Sequence, residues 1–233
     1  QQQHPENVHS FVTQRCCNWY LPYFDNAFYG GILTILRLAA HLQTVDGVRQ
    51  RFLICGSCNP EHMSALIAEA FPCLSSAEVR ALDSVEALAE IPTADYSVAT
   101  LWTTAYVLLK VPNTGYKFYM IQDYEPLFYP AGSTYAQAEF TYRFGFYGIT
   151  NTSSLREIYE KEYGGRAIEL VPCVDKTVFY RGNPLPLDGP KKLFYYARPG
   201  TPRNGFELAA AALKMVKMRM GNGVDIVCAG APW

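Results

Sequence analysis

DYSVATLWTTAYVLLKVPNTGYKFYMIQ, residues 95–122, decides the fold class. Its first segment, 95–102, has no charged residue after Asp95 and is mostly apolar, which predicts a buried strand. Thr103 or Thr104 is a suitable cap for a following helix, which must end before Pro112 because the residue before a proline disfavours helical conformation. The aromatic run 116–122 predicts the next strand. A strand, a helix and a strand joined by short turns indicate a parallel α/β sheet.

The same alternation continues on both sides of this unit. Upstream we predict strands over 9–13 and 52–56, an aromatic loop over 19–29, and helices over 32–42, 60–70 and 84–89. Downstream we predict strands over 148–151 and 167–172, a helix from a Ser133 cap to Phe144, and a helix over 155–163 that is capped by Ser153 or Ser154 and ended by Gly164 and Gly165. The pattern predicts a doubly wound, Rossmann-like domain.

A second unit is predicted after a Pro- and Gly-rich linker at 181–190. Its elements are a strand over 191–197, a helix with Asn204 and Glu207 in a capping box, and a strand over 225–230. Because one β-α-β unit cannot bury both faces of a parallel sheet, we expect it to be the first part of a second Rossmann-like domain. The predicted domains are 1–185 and 186–233.

Composition excludes several classes of protein. Twenty Lys and Arg face 21 Asp and Glu, for a net charge of −1, and they form no basic stripe, so nucleic acid is not expected as a partner. The longest uncharged stretch, Tyr96 to Leu109, is too short to cross a bilayer as a helix. Seven cysteines, an odd number without paired metal-ligand spacing, favour a reducing, cytoplasmic setting.

Four segments follow predicted strands, where open α/β sheets bind ligands. They are Gly30-Gly31, Trp102-Thr103-Thr104, Asp123-Tyr124-Glu125, and the turn from Arg198 to Asn204. The turn is the most specific, because two guanidinium groups flank a helix N-terminus whose amides and dipole favour a diphosphate. An ordinary solvated loop is the alternative for these arginines.

Asp123 and Glu125 are the candidate catalytic residues, as a base or a hydrogen-bond acceptor. The same acidic segment resembles a short metal-binding motif of some sugar transferases, but either carboxylate can equally cap a segment or pair with a basic neighbour. We therefore expect no metal. Neither a P-loop nor a GxSxG motif occurs, which disfavours NTPase and serine hydrolase functions.

The run 171–179, VPCVDKTVF, resembles the inter-domain stretch V-P-x-G-V-D-x-x-x-F of GT-B glycosyltransferases of family four, without its glycine. Arg198 and Arg203 are similar in spacing to the Arg and Lys that bind the donor diphosphate in that family. Arg203 replaces the usual Lys, and Asn204 stands where a Gly is usual.

Three further stretches resemble bacterial rhamnosyltransferases of cell-surface polysaccharide assembly. They are IQDYEP at 121–126, AEFTYRFG at 138–145 and RNGFEL at 203–208. The resemblance implies a cofactor-free, metal-independent GT-B enzyme that transfers rhamnose from dTDP-rhamnose to a glycan or lipid-linked glycan, with retention. The enzyme is expected in the cytoplasm, with peripheral contact at the inner face of the membrane as an option.

The resemblance also assigns roles to residues. Arg198, Arg203 and Asn204 would bind the donor diphosphate, and the acceptor-side cleft would contain Gly30, Gly31, Trp102, Thr103 and Tyr124. The paired-glutamate motif of the family would lie beyond Trp233, so this chain alone is expected to be inactive. Two alternatives stay open, which are a non-catalytic two-lobed sugar or nucleotide binding protein and a GT-B nucleotide-sugar epimerase.

Overall fold

Seven parallel strands form the sheet of the first part of the chain. In the computed structural model they are β1 (Cys16–Pro22), β2 (Arg49–Cys55), β3 (Glu78–Leu82), β4 (Ala94–Ala99), β5 (Thr114–Ile121), β6 (Tyr147–Thr150) and β7 (Arg166–Glu169). Their order across the sheet is β3-β2-β1-β4-β5-β6-β7. The connecting helices are α1 (Gly30–Thr44), α2 (Pro60–Ala70), α3 (Val85–Ala89), α4 (Trp102–Leu109), α5 (Ser133–Phe140) and α6 (Ser153–Tyr163). The predicted doubly wound α/β fold is confirmed.

The structure describes residues 14–182 and 189–231. These fall into two compact units, one of residues 14–126 and 131–172, the other of residues 127–130 together with the described residues from 173 onward. The strand predicted at 9–13 and the proposed boundary at 185 and 186 lie outside the described residues, so both stay predictions.

Strand β1 occupies part of the stretch for which the sequence predicted an aromatic loop over 19–29. Trp19, Tyr20 and Leu21 are fully buried, and the Trp19 Nε1 donates to Gln50 Oε1 at 2.7 Å. A central parallel strand is buried on both faces, so its sequence shows no polar alternation. Its apolar residues also run directly into the aromatic residues that follow Pro22, so no change of pattern marked the end of the strand and the prediction was wrong here. β3 was missed altogether.

Helices cover both faces of the sheet around β1. On one face, α1 and α2 bury Leu36 and Met63 against Trp19 and its neighbours. On the other face, Leu108 of α4 and Tyr159 of α6 belong to the cluster around Tyr20. These two clusters supply most of the apolar burial that stabilises the unit.

One part of the first face is more open. A groove of about 270 Å³ is lined by residues of α1 and of β1, β4, β5, β6 and β7, including Leu38, Phe118 and Ile168. Beside it, Tyr116 is 56% exposed and its ring lies 6.3 Å from that of Tyr96.

Two helix ends differ from the predictions. Ser133 is the first residue of α5 rather than its cap, and α5 ends at Phe140, from where a 3₁₀ turn continues to Arg143. The cap of α6 is Thr152, whose Oγ1 accepts the Leu155 amide at 3.2 Å. Adjacent hydroxyl residues compete for the capping position, and only the backbone path decides between them. Gly164, with φ of 68°, ends α6 as predicted.

The second unit contains β8 (Lys191–Ala197), α7 (Phe206–Met220) and β9 (Val224–Gly230), with the two strands parallel. This confirms the predicted β-α-β order. The capping box is wrong, because a 3₁₀ turn takes Asn204 and the N-cap of α7 is Gly205 in the left-handed conformation, with φ of 60°. Glycine adopts that conformation without a steric penalty.

Gly165 provides a test of packing in the first unit. A Cβ there would lie 2.2 Å from Tyr159 Cε1, and Tyr159 is 1% exposed with its hydroxyl donating to the Phe146 carbonyl at 2.7 Å. We expect Gly165→Ala to lower the free energy of unfolding by about 1–3 kcal/mol, the usual cost of overpacking, as measured by urea unfolding. Gly30→Ala is the control, since among the described atoms nothing lies within 4 Å of its Cβ position. Equal stability of both variants would contradict this account.

Candidate active site

The carboxyl ends of β1, β4 and β5 lie side by side in the sheet. The chain leaves β1 towards β2 and leaves β4 towards β5, so the strand order reverses between β1 and β4. Open α/β sheets bind ligands in the crevice at such a point. The segments predicted at Gly30-Gly31, Trp102-Thr103 and Asp123–Glu125 meet here. The fourth predicted segment, Arg198 to Asn204, belongs to the second unit.

The N-terminus of α1 is open at this edge. In the described part of the chain, no side chain caps the helix and no acidic residue lies in its first turn. The loop after β5 supports it from one side, because Gln122 Nε2 donates to the Gly31 carbonyl at 3.2 Å and the Gln122 carbonyl accepts from Asn151 Nδ2 at 2.8 Å. The first-turn amides and the helix dipole therefore favour an electronegative group in the crevice.

At the N-terminus of α4, by contrast, side chains accept the first helical amide and the two amides before it. The Trp102 amide donates to Glu125 Oε2 at 2.6 Å. Thr104 Oγ1 accepts the amides of Thr100 and Leu101 at 3.0 and 3.1 Å. Leu101 is thus the N-cap residue, and the predicted caps Thr103 and Thr104 are the second and third residues of the helix.

Glu125 is a buried carboxyl group that joins two loops of the site. It is 3% exposed, and its Oε2 also accepts the Tyr119 hydroxyl at 2.9 Å. Burial raises its pKa from 4.5 to about 8, against the hydrogen bonds from Tyr119 and Trp102 that lower the pKa, and the nearby Asp123 charge raises it further. Glu125 is therefore largely protonated at neutral pH, and its contacts are those of a residue that positions the loop.

Asp123 differs from Glu125 in its exposure. It is partly exposed, its Oδ1 accepts the Tyr124 amide at 2.8 Å, and its carbonyl accepts the Tyr142 hydroxyl at 3.3 Å. These bonds hold its backbone, and its side chain is only partly covered. Of the two predicted catalytic carboxylates, Asp123 is the more exposed.

The Tyr124 hydroxyl is engaged on the side of α5 and α6. It forms a short hydrogen bond with the Tyr163 hydroxyl, which donates to Glu139 Oε1 at 3.0 Å, and Arg143 lies over the Tyr163 ring at 4.9 Å. The acceptor-side role predicted for Tyr124 therefore depends on its ring. Trp102 stands edge to face against Tyr106, with ring centroids 6.2 Å apart.

In the second unit, Arg198, Arg203 and Asn204 are exposed residues of the turn before α7. The turn is closed by the Thr201 amide on the Arg198 carbonyl at 3.2 Å and by the Asn204 amide on the Thr201 carbonyl at 2.9 Å. The Arg203 guanidinium lies 4.4 Å above the centre of the Phe128 ring. The turn thus places two cations before a helix that, over the described residues, has no side-chain cap.

Metal-binding and membrane-spanning features are absent from the described residues. Within residues 14–182 and 189–231, no cluster of three or more His, Cys, Asp or Glu side chains has the arrangement of a metal site. No helix in these ranges combines the length and apolarity needed to cross a bilayer. All seven cysteines are free thiols. Burial raises the pKa of Cys55 to about 12 and raises that of Cys58 as well, which disfavours the reactive thiolate form of both.

Sequence reasoning missed the residues that support the site. Tyr119 and Tyr142 hold Glu125 and Asp123, and Gln122 and Asn151 join the loop to α1. Gln122 and Asn151 carried a signal, because each is the polar last residue of a predicted strand. The two tyrosines looked like ordinary core residues.

Comparison with known proteins gives a family match over the segment that contains the three loops of this site. The profile of the family described as "WsaF, N-terminal domain" matches residues 18–153. The chain belongs to this family. The WsaF N-terminal domain match runs from β1 to the start of α6 and so includes all three loops at the strand reversal.

A curated relative extends the similarity beyond this domain. The O-antigen biosynthesis protein RfbC of Myxococcus xanthus is 43% identical over 217 residues, which cover 92% of this chain and 17% of the relative. The chain therefore spans about a sixth of the length of that relative. Together with the match to the WsaF N-terminal domain, this relative supports the general part of the resemblance, which is to glycosyltransferases of polysaccharide synthesis.

The buried Glu125 makes stability depend on pH. A carboxyl whose pKa is raised on folding binds its proton more tightly in the folded state, so its contribution is complete below about pH 4.5 and is lost as the pH rises through about 8. We expect the free energy of unfolding of the wild type to fall relative to that of Glu125→Gln over this range, by at most about 1.4 kcal/mol per pH unit. Urea unfolding at several pH values measures this difference.

The control is Glu157→Gln. Glu157 is exposed, and its hydrogen bond with Lys161 lowers its pKa, so it stays ionised over this pH range. Its variant should run parallel to the wild type between about pH 5 and about pH 8. A Glu125→Gln curve that also runs parallel to the wild type would contradict burial of a protonated Glu125.

Proposed function

We propose that this protein is a glycosyltransferase of polysaccharide synthesis, of the GT-B type and family four, which transfers rhamnose from dTDP-rhamnose to a glycan or lipid-linked glycan. The observation that carries the proposal is the meeting of the loops after β1, β4 and β5 at the strand reversal, within a domain of the WsaF family. The name of the Myxococcus relative, an O-antigen biosynthesis protein, supports polysaccharide synthesis. The sequence resemblance is the basis for the rhamnose donor.

The first unit is proposed to bind the acceptor. Gly30 and Gly31 leave the first-turn amides of α1 accessible as donors to an acceptor oxygen, and Trp102, Thr103 and the Tyr124 ring line the same edge. Asp123 accepts the hydrogen bond of the attacking hydroxyl and takes its proton as the new bond from that oxygen to the sugar carbon forms. Glu125 holds the Asp123 loop against α4 through the Trp102 amide.

The second unit is proposed to bind the donor. Residues 173–233 contain nine Lys and Arg against four Asp and Glu, which suits a nucleotide diphosphate. When the bond between the sugar carbon and the phosphate oxygen breaks, the electron pair leaves with the diphosphate. Arg198, Arg203 and the open start of α7, next to Asn204, stabilise that charge. We propose that these cations act without a metal. We also propose that the acceptor oxygen bonds to the sugar carbon on the same face from which the diphosphate leaves, so that the single step retains the anomeric configuration.

The proposed substrates bear on location. A nucleotide-sugar donor places the reaction in the cytoplasm, and a lipid-linked acceptor would bring the protein to the inner face of the membrane by peripheral contact. Neither placement requires a spanning segment.

Removal of one turn arginine tests donor binding. Arg198→Ala should weaken nucleotide affinity by about 1.5–3 kcal/mol, or roughly 10- to 100-fold, if its guanidinium pairs with a phosphate. Calorimetric titration with dTDP, UDP, GDP and ADP measures the loss. Arg219→Ala, in the last turn of α7, is the matched control and should bind as the wild type does.

The nucleotides separate the outcomes of this titration. Preference for dTDP, lost in Arg198→Ala, would support a deoxysugar donor. Unchanged affinity of Arg198→Ala would remove the diphosphate role of the turn. If the complete protein bound none of the four nucleotides, the nucleotide-sugar proposal would be overturned.

An activity assay of the complete enzyme tests the acceptor side. Asp123→Asn should lower the rate of transfer by about 10²-fold or more while the KM for the donor stays unchanged, because the variant cannot take the hydroxyl proton. Asp83→Asn is the control, since Asp83 is an exposed carboxylate directly after β3, on the same edge of the sheet. Equal rates for Asp123→Asn and the wild type would refute the catalytic role. Conversion of free nucleotide sugar without an acceptor would favour the epimerase alternative.

A further inference from the structure

The loop that follows β1 presents three large aromatic side chains to solvent. Tyr23, Phe28 and Tyr29 are 54%, 54% and 53% exposed. Single exposed aromatic residues are ordinary, but three of them in a seven-residue loop, beside the crevice where sheets of this type bind ligands, indicate an interaction surface. We call residues 23–29 the aromatic loop.

The aromatic loop is held by its own inward side chains. Phe24 and Ala27 are 4% and 1% exposed and belong to the core cluster of α1. Between them, Asn26 Oδ1 accepts the Phe28 amide at 2.8 Å, which closes a turn. The exposed rings are therefore carried by an anchored backbone, and binding to them would cost little loop ordering.

Charge restricts the kind of partner. Residues 16–36 contain no Lys or Arg, and Asp25, at the centre of the aromatic loop, is their one formal charge. Residues 1–172 as a whole contain 11 Lys and Arg against 17 Asp and Glu. An anionic lipid surface or an acidic polysaccharide would be repelled here, whereas a neutral ligand would not.

Neutral sugars fit the aromatic, carboxylate and amide groups of this surface. The apolar C–H faces of a pyranose ring stack on aromatic rings, and its hydroxyls donate to a carboxylate and accept from amides. The aromatic loop offers rings and the Asp25 carboxylate, and the open start of α1 offers amides directly after Tyr29.

We propose that Tyr23, Phe28 and Tyr29 form a docking surface for a neutral glycan acceptor. The inference rests on the proposed function and deepens it, because it assigns the acceptor to the uncharged glycans and extends the binding site from the crevice to the aromatic loop.

Saturation-transfer NMR tests the docking surface directly. Irradiation of the aromatic protein protons should transfer saturation to the C–H protons of at least one of three probes, the methyl glycosides of rhamnose, glucose and mannose. Methyl glucuronide is the acidic comparison and should receive less. The triple variant Tyr23→Ala, Phe28→Ala and Tyr29→Ala should bind the neutral probe about tenfold more weakly.

Two variants separate recognition from folding. Tyr116→Ala removes an aromatic ring of similar exposure, 56%, from the start of β5 and should leave the signal unchanged. The double variant Tyr23→Phe and Tyr29→Phe keeps the rings and should retain most of the neutral-sugar signal. Urea unfolding of the triple variant should match the wild type, because the removed side chains are exposed.

The contrary outcomes are distinct. No transfer to any neutral glycoside, or equal transfer in the wild type and the triple variant, would overturn the proposal. Binding to phosphatidylglycerol vesicles that the triple variant loses would identify a membrane contact instead. Nucleotide binding that depends on Arg198 would keep the proposed function in place after either result, whereas failure of both nucleotide and sugar binding would remove the proposed function as well.

Discussion

The structure of the first unit depends on the requirement that a parallel sheet be covered on both faces. β1 and β4 lie at its centre, and the chain leaves them towards opposite edges of the sheet. Helices that diverge in this way cannot close over the carboxyl ends of the two strands, so a crevice results from the topology itself. The residues that border it are released from core packing, and this is the part of the domain where side chains can serve chemistry.

The two helix N-termini at this crevice differ in the hydrogen-bond acceptors that the chain provides for them. At α4, Glu125 supplies the acceptor that the Trp102 amide needs, and Thr104 serves the two preceding amides. This closure buries a carboxyl group, which is tolerated because the group can be protonated and because Tyr119 also donates to it. At α1 the described residues provide no such partner. The contrast makes α4 a structural support and α1 the side from which the crevice can hydrogen-bond a ligand.

Sequence patterns predicted those parts of the site that depend on local order. Asp123 follows the predicted strand β5 and the turn from Arg198 to Asn204 follows the predicted strand β8, so the edge of its own sheet on which each lies could be predicted. β1 was not predicted, because its apolar residues run directly into the aromatic residues at 23–29 and no change of pattern marks where the strand ends. The pairing of Glu125 with Trp102 was equally inaccessible, because it joins residues from two loops that only the folded sheet brings together.

The near-zero net charge of the chain is the sum of two parts of opposite net charge, a division that suits the two substrates of the proposed transfer. Residues 173–233 are basic in sum and residues 1–172 are acidic in sum, although the whole differs from neutrality by one charge. In the proposed function, the second unit must attract a doubly charged diphosphate and the first unit must leave its own crevice free for the acceptor. The opposite charge balances of the two units favour both, because net charge acts at long range without a specific contact. An acceptor that carries charge of its own would disturb this proposed arrangement, so the aromatic rings and the single carboxylate of residues 23–29 support the proposal of an acceptor recognised by shape and hydroxyl groups.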